Sequence, residues 1–206
     1  MRIVLVGASG VIGRAVKDLY GGRHEIVAAS RSGGDLQVDI ADPASIRALF
    51  ERAGSFDALV CTAGAVHYAP FPLLGEADYE IGLRSKLMGQ VNLVTYGLAC
   101  VADGGSFTLT SGLTNDDPIR EGTASSLVNG ALEGYVRGAA IEMPRGVRIN
   151  LVSPTLVEES APLYGPYFPG TATMPAREVA LGYVKSVEGA QSGRVFRMGW
   201  SREAIG

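Results

Sequence analysis

The segment 3–13 reads IVLVGASGVIG, and it decides the fold class. Its opening residues are apolar, which is typical of a short strand buried on both faces of a parallel sheet. Gly7, Gly10 and Gly13 follow and lead into a helical pattern. In a dinucleotide site, one such glycine makes the tight turn, another lets the backbone approach a pyrophosphate, and the third allows close packing of helix on strand. Backbone amides of the loop and the helix start are therefore predicted to hold a nucleotide's phosphates. The residues of this predicted site are Gly7, Ser9, Gly10, Val11, Ile12 and Gly13.

Apolar runs alternate with helical patterns along the whole chain. The predicted strands span 3–6, 25–29, 36–38, 58–61, 106–110, 147–152 and 194–198. The predicted helices span 11–20, 43–52, 76–100, 124–143 and 176–187, the third with a break near Gly82. This alternation predicts one α/β domain over 1–206, a doubly wound Rossmann-like fold in which about seven parallel strands carry helices on both faces. Only about five residues separate the second strand from the third, so we expect the usual crossover helix to be missing there.

Composition excludes several classes of protein. Of 206 residues, 47% are hydrophobic and 19% are charged, which excludes a disordered chain. No apolar run approaches the ~18 residues that a membrane span needs, and the N-terminus lacks a signal-peptide pattern. A net charge of −3 without a basic block argues against a nucleic-acid or membrane partner. The 2 histidines and 2 cysteines are too few and too scattered for a metal site, and the cysteines predict free thiols in the cytoplasm.

The end of the second predicted strand decides between the two nicotinamide dinucleotides. An acidic residue at this point would bind the adenosine ribose of NAD(H). The chain reads ASRS at 29–32 and has no acid before Asp35. The Arg31 guanidinium can pair with a 2′-phosphate, to which Ser30 and Ser32 add donors. We therefore expect NADP(H) in preference to NAD(H); the alternative is that Arg31 is a solvated loop residue.

From residue 2 to about residue 198, the chain resembles the short-chain dehydrogenase/reductase family. Besides the glycine loop, the resemblance is carried by DI at 39–40, CTAG at 61–64, GALEG at 130–134, RIN at 148–150 and SPT at 153–155. It implies an Asp-hydrophobic pair against the adenine and backbone groups after Pro154 that hold the nicotinamide amide. The cofactor-binding residues that it adds are Asp39, Ile40, Thr62, Ala63, Gly64, Pro154 and Thr155.

The resemblance fails at the residues that carry the family's reaction. The family uses a Tyr-x-x-x-Lys pair on its long helix, and the neighbouring motifs align that pair with Ser125 and Asn129. Reduction of a carbonyl needs an acid, and a tyrosine serves when a nearby ammonium lowers its pKa. A serine hydroxyl is far too weak an acid for this role, and asparagine carries no charge. Ser125 and Asn129 remain candidate site residues, but the usual mechanism does not transfer to them.

Two further residues keep a predicted role in the reaction. Ser111 ends the fifth strand, where the family has a serine that hydrogen-bonds the substrate carbonyl; the alternative is a cap of local backbone. Lys86 stands where the family has an asparagine, so lysine and asparagine have exchanged helices. We expect the ammonium to reach the pocket with Asn129 as its orienter, and Lys86→Met to abolish turnover but spare NADPH binding. The alternative is a solvated helix lysine.

The missing acid must come from another segment. His67 and Tyr68 follow the fourth strand, on the nicotinamide side of this fold, and either is a candidate. Tyr164 and Tyr167 lie within 162–175, a segment rich in Pro, Gly and Tyr. We interpret this lid segment as a cover over a pocket, the alternative being a surface loop with buried tyrosines.

Three functions fit these observations. The first is an NADP(H)-dependent oxidoreductase that acts on a small carbonyl or alcohol; the second is a non-redox enzyme, such as a dehydratase, isomerase or cyclase; the third is a nucleotide-binding sensor or interaction protein. Small residues such as Gly89, Gly134 and Gly138 mark the two long helices. The resemblance implies a homodimer or homotetramer through these helices, the alternative being that the glycines pack each helix on its own sheet.

Overall fold

The structure, a computed structural model, describes residues 1–203, and within them one parallel sheet has the strand order β3-β2-β1-β4-β5-β6-β7. The strands are β1 Arg2–Val6, β2 Glu25–Ser30, β3 Leu36–Gln37, β4 Phe56–Cys61, β5 Val101–Thr110, β6 Arg148–Pro154 and β7 Val195–Met198. The predicted Rossmann-like fold is confirmed. The strand order reverses between β1 and β4, and a ligand cleft is expected at the carboxyl ends of the strands beside such a reversal.

Helices cover both faces of the sheet. They are α1 Val11–Tyr20, α2 Pro43–Ala53, α3 Glu76–Ile81, α4 Gln90–Gly97, α5 Thr123–Ala140, α6 Ala161–Tyr164 and α7 Ala176–Glu188. One core lies under α1 and α7 and includes the buried Val16 and Tyr183. The other lies under α2, α4 and α5 and includes Phe50, Leu93 and Leu132. Each of these five helices turns buried apolar residues towards the sheet, as the periodicity predicts.

The β2–β3 connection is short enough to leave out the usual crossover helix, as predicted. Leu36 and Gln37 pair in parallel with Ala29 and Ser30. The chain doubles back through Gly33 and Gly34, which have φ values of +83° and +85°. A Cβ at Gly34 would also lie 2.7 Å from the Ala28 carbonyl oxygen. Glycine therefore makes the tight return possible, and β3 follows β2 with no helix between them.

The segment 76–100 departs from the single helix that the sequence suggests. It begins as α3, passes at Gly82 into a π-helix over Gly82–Gly89, and continues as α4. At Gly82, where the sequence predicts a break, the helix thus changes from α to π and does not end. A π-helix is wider than an α-helix and is frequent at functional sites. This one carries Lys86.

Candidate functional site

The glycine loop forms a tight crossing between β1 and α1. Gly7 has a φ of +88°, and a Cβ on it would lie 2.7 Å from Thr62 Oγ1. A Cβ on Gly13 would lie 2.1 Å from the Gly7 carbonyl oxygen. The Thr62 hydroxyl contacts the Val6 and Gly7 carbonyl oxygens at 3.2 and 3.1 Å, and it thereby ties the end of β4 to the loop. Two of the three glycines are required by close approach, as the motif predicts.

A cleft of about 650 Å³ opens over this loop. Its walls include Gly7, Ser9, Gly10, Arg31, Ser32, Asp39, Ile40, Thr62, Ala63 and Gly64. Gly10 precedes the first turn of α1, and within residues 1–203 no side chain caps that turn. The first amides of a helix lack partners inside the helix and attract anions. The glycine loop and the first amides of α1 therefore fit the pyrophosphate of a dinucleotide. Most of the predicted cofactor-binding residues line this one cleft.

The last residue of β2 and the two that follow it have different roles at the rim of this cleft. Arg31 and Ser32 are exposed and line it. Ser30 is buried, and its hydroxyl contacts the carbonyl oxygens of Ser32 and Gly33 at 3.0 and 2.7 Å. Because that hydroxyl proton is already used by the loop, Ser30 shapes the rim, and only Arg31 and Ser32 offer free donors to a phosphate.

The carboxyl end of β6 carries the predicted nicotinamide-side residues. Thr155 is buried, and its hydroxyl donates to the Ala172 carbonyl at 2.8 Å. Its amide donates to the Met198 carbonyl at 2.8 Å. Pro154 ends β6 directly before it. The Thr155 side chain therefore ties the lid segment to the sheet. Because this hydroxyl is occupied, Pro154 and Thr155 can offer a ligand only backbone groups.

A buried polar cluster lies beyond the ends of β5 and β6. Asn129 Nδ2 donates to Thr114 Oγ1 at 2.9 Å and to Ser125 Oγ at 3.3 Å, while Ser125 and Thr114 share a bond of 3.0 Å. The same amide lies 3.3 Å from the position of a Cβ on Gly112, next to Ser111. Within residues 1–203, the buried Ser111 Oγ has no hydrogen-bond partner. Buried polar groups are rarely left unpaired, so this hydroxyl lacks a partner that its burial would normally require.

Lys86 connects the cleft to this cluster. Its ammonium donates to the Ser111 carbonyl at 3.1 Å, and its side chain would lie 3.1 Å from a Cβ on Gly64, a cleft residue. Burial lowers the pKa of Lys86 to about 8, and the nearby Cys61 thiol partly opposes this shift. The ammonium therefore reaches the pocket, as expected. No hydrogen bond within residues 1–203 joins this ammonium to Asn129: the ammonium donates to the Ser111 carbonyl, and the buried Asn129 Oδ1, the atom that could accept from it, has no partner there.

Tyr68 and His67 point to different surroundings. Burial raises the pKa of Tyr68, and the Ser125 side chain partly opposes this shift. His67 Nε2 lies 3.6 Å from the Asp78 carboxylate at the start of α3, and its side chain is 43% exposed. Of the two candidate acids, Tyr68 packs beside the Tyr164 and Tyr167 rings of the lid segment, and His67 pairs with a surface carboxylate.

Comparison with known proteins identifies the family. A family model described as enoyl-(acyl carrier protein) reductase matches residues 7–186. The crystal structure of protein lin1944 from Listeria innocua superposes with a TM-score of 0.94 at 43% sequence identity, covering 96% of this chain and 98% of that one. This chain belongs to the short-chain dehydrogenase/reductase family. A second solved structure, of a small-chain dehydrogenase, has a TM-score of 0.84 at 25% identity and covers 98% of both chains.

A further solved structure shares the fold. It is a small-chain dehydrogenase in complex with NADPH, with a TM-score of 0.86 at 24% identity over 100% of this chain and 98% of that one. No curated protein sequence matches the chain. The family reduces or oxidises substrates with a nicotinamide cofactor.

Sequence reasoning missed two residues of the short-chain dehydrogenase/reductase site. Thr114, on a short 3-10 turn over Leu113–Asn115, bonds both Ser125 and Asn129. Gln90 is fully buried and joins the start of α4 to the end of β5. Neither residue lies in a motif of the family. The signal available was only that both are polar residues near predicted ends of strands or helices.

Two features are absent from residues 1–203. No group of His, Cys, Asp and Glu side chains there could hold a metal ion. No helix described in that range is long and apolar enough to cross a membrane.

Proposed function

We propose that the protein is an NADP(H)-dependent oxidoreductase that acts on a small carbonyl or alcohol. The observation that carries this proposal is the buried Ser111 hydroxyl, which has no hydrogen-bond partner within residues 1–203. Lys86 links Ser111 to the wall of the cleft, because its ammonium bonds the Ser111 carbonyl and its side chain lies beside Gly64. A hydroxyl in that position can hold a substrate oxygen beside a nicotinamide ring. The Arg31 guanidinium on the cleft rim supports NADP(H) in preference to NAD(H). Unpaired thiols at Cys61 and Cys100 support a cytoplasmic location.

The residues of the site divide the work of such a reaction. When bound, the cofactor would supply or accept a hydride equivalent, and Gly7, Ser9 and Gly10 with the first amides of α1 would hold its phosphates. Ser111 would hydrogen-bond the substrate oxygen. The ammonium of Lys86, on the carbonyl of the same residue, would stabilise negative charge that develops on that oxygen. Ser125, Thr114 and Asn129 form a fixed polar wall because their hydrogen bonds are mutual.

Coenzyme preference tests the first half of the proposal. Fluorescence of the single tryptophan, Trp200, would be titrated with NADPH and with NADH. We expect NADPH to bind at least about tenfold more tightly, because Arg31 adds a charge-assisted bond to the 2′-phosphate. Arg31→Ala should remove most of that preference and leave NADH affinity unchanged. Arg177→Ala, at a residue whose side chain is 81% exposed on α7, is the matched control. Equal affinities in the wild-type protein would contradict the assignment of NADP(H).

Turnover separates this proposal from the other two functions. NADPH consumption would be followed with benzaldehyde, cyclohexanone and butanal as carbonyl probes, and NADP⁺ reduction with the corresponding alcohols. Consumption supports the oxidoreductase. NADPH binding without consumption favours a non-redox enzyme or a nucleotide sensor, and the absence of binding would contradict the interpretation of the glycine loop.

A further inference from the structure

We propose that Arg84, on the π-helix over Gly82–Gly89, binds a phosphate group of the dinucleotide and is thus a second cationic residue of the cleft beside Arg31. The inference rests on the proposed function, since it names a further residue that binds the coenzyme. Arg84 belongs neither to the glycine loop nor to the end of β2, the two segments from which the sequence predicts phosphate contacts. It comes instead from the helix that also carries Lys86.

The first observation is that one side of this helical segment forms a wall of the cleft. Ala77, Glu80, Ile81, Arg84 and Ser85 all line the cleft. Residues three or four positions apart are neighbours on a helix surface, so these five residues form one continuous face of α3 and the π-helix. Arg84 is exposed, and its exposure is therefore at the cleft wall.

The second observation is that contacts on both sides of Arg84 fix this wall in place. The Ser85 hydroxyl oxygen accepts from the Ala65 amide at 3.1 Å, which ties the helix to the loop after β4. A Cβ on Gly89 would lie 2.7 Å from the Ile40 carbonyl oxygen, so the helix also lies directly against the segment after β3. The backbone that carries Arg84 is therefore held beside the ends of two strands that border the cleft.

The third observation is that the Arg84 guanidinium has no partner. Within residues 1–203 it makes no hydrogen bond, ion pair or ring contact. Glu80 precedes it by four residues, a spacing at which helical side chains commonly pair, yet no ion pair joins the two in that range. The change from α to π at Gly82 lies between them. The guanidinium therefore keeps its donors for a ligand, and their planar fork suits the oxygens of a phosphate.

The charges of the cleft explain why direct contacts matter. In the part of the chain that the structure describes, the charged residues that line the cleft are Arg31, Asp39, Glu80 and Arg84. Their formal charges cancel, so no net positive field attracts a dinucleotide, and its phosphates depend on individual contacts. Arg31 follows β2, while the wall with Arg84 contacts the loop after β4. Only β1 separates these strands, a span of about 10 Å, so the glycine loop lies between the two elements that carry free guanidiniums.

Calorimetric titration with NADPH and NADH tests the inference without turnover. Arg84→Ala should weaken NADPH binding by about tenfold, as expected for loss of a charge-assisted bond. An equal loss for NADH would assign the contact to the pyrophosphate, and a loss confined to NADPH would assign it to the 2′-phosphate. Arg52→Ala is the matched control, because Arg52 is another exposed helical arginine, on α2, and does not line the cleft. It should leave both affinities unchanged.

A second set of variants separates electrostatics from a disturbance of the helix. Glu80→Gln removes a negative charge from the same wall and should strengthen NADPH binding by about twofold, whereas Arg84→Glu should weaken it more than Arg84→Ala does. NADPH affinity of the wild-type protein should also fall more steeply than that of Arg84→Ala between about 0.05 and 0.5 M salt. Equal losses in Glu80→Gln and Arg84→Ala would indicate a distorted helix and contradict the proposal.

The outcomes also separate this inference from the proposed function. Unchanged NADPH affinity in Arg84→Ala would overturn the role of Arg84 and leave the oxidoreductase standing. Tight NADPH binding that Arg84→Ala weakens, without turnover of any carbonyl probe, would support Arg84 and count against the oxidoreductase. Failure of the wild-type protein to bind either coenzyme would overturn both. The melting temperature of Arg84→Ala should equal that of the wild type, because no contact within the chain is lost.

Discussion

At the scale of single residues, Lys86 is a buried ammonium whose pKa the fold lowers. Its ammonium bonds the Ser111 carbonyl, and burial lowers its pKa from 10.5 to about 8. A lysine whose pKa is lowered by folding opposes folding while it is charged, so it costs stability below pH 8. Between about pH 8 and 10.5 the unfolded chain binds the proton more strongly, and stability rises with pH over that window.

Lys86→Met tests this sign directly. In urea unfolding at pH 7.5 and pH 10, the wild-type protein should gain on the order of 1–2 kcal/mol relative to the variant on going to the higher pH. A pH-independent difference would contradict the buried ammonium. Because Met fills similar volume, the variant should also keep its NADPH affinity while losing turnover. Retained turnover would mean that the ammonium positions the Ser111 backbone without taking part in the reaction.

Single residues also show how far sequence reasoning reached into the site. Ser111, Ser125, Asn129 and Lys86 were identified because motifs fix their register, and the structure brings them together. The hydroxyl partners of the Asn129 amide protons were missed, because one of them depends on a 3-10 turn that carries Thr114 into the pocket. No pattern of residues in the sequence predicts the 3-10 turn over Leu113–Asn115.

At the scale of elements, the junction between the π-helix and α4 aligns the pocket. Gln90 Nε2 donates to the Lys86 carbonyl at 3.0 Å and to the Thr110 carbonyl at 2.8 Å, and its Oε1 accepts from the Thr110 amide at 2.8 Å. One buried side chain thus joins the helix that carries Lys86 to the strand that ends before Ser111. Apolar periodicity predicted a helix here, but it could not predict the change from α to π, because both helix types place apolar residues at similar spacings.

Gln90→Leu measures the strength of this junction. The substitution leaves the Thr110 amide unpaired in the core and should cost about 2–3 kcal/mol in the free energy of unfolding. Turnover should fall more than NADPH affinity, since the glycine loop is not touched. Gln37→Leu, at an exposed position of β3, is the control and should change stability by less than about 0.5 kcal/mol. A loss no larger than that of the control would show that water replaces the Gln90 bonds.

At the scale of the whole molecule, the outer face of the two long helices exposes apolar side chains and glycines to solvent. Leu127 is 48% exposed and Met88 is 44% exposed. Gly134 and Gly138 share the exposed stripe of α5, and a Cβ on either would meet no atom within 4 Å. They do not pack against their own sheet, in contrast to Gly97, where a Cβ would lie 3.1 Å from the Phe107 ring of β5. We predict that a second copy of the chain covers this stripe.

The solution mass tests this prediction. Light scattering after size exclusion should give at least twice the chain mass of 21.5 kDa. Leu127→Glu should yield the monomer, because a carboxylate would be buried unpaired between the helices. Leu181→Glu, at a leucine that is 53% exposed on α7 and thus on the opposite layer, should keep the assembly.

Gly134→Ala distinguishes a close helix contact from a free surface. On a solvent-exposed helix this change removes the glycine penalty and should stabilise the chain by up to about 1 kcal/mol at every protein concentration. Against a closely packed partner helix, the added methyl group instead separates the backbones. We therefore expect weaker association and a lower melting temperature in dilute protein. Stabilisation that does not depend on concentration would mean that the stripe faces water and that the two long helices do not form the interface.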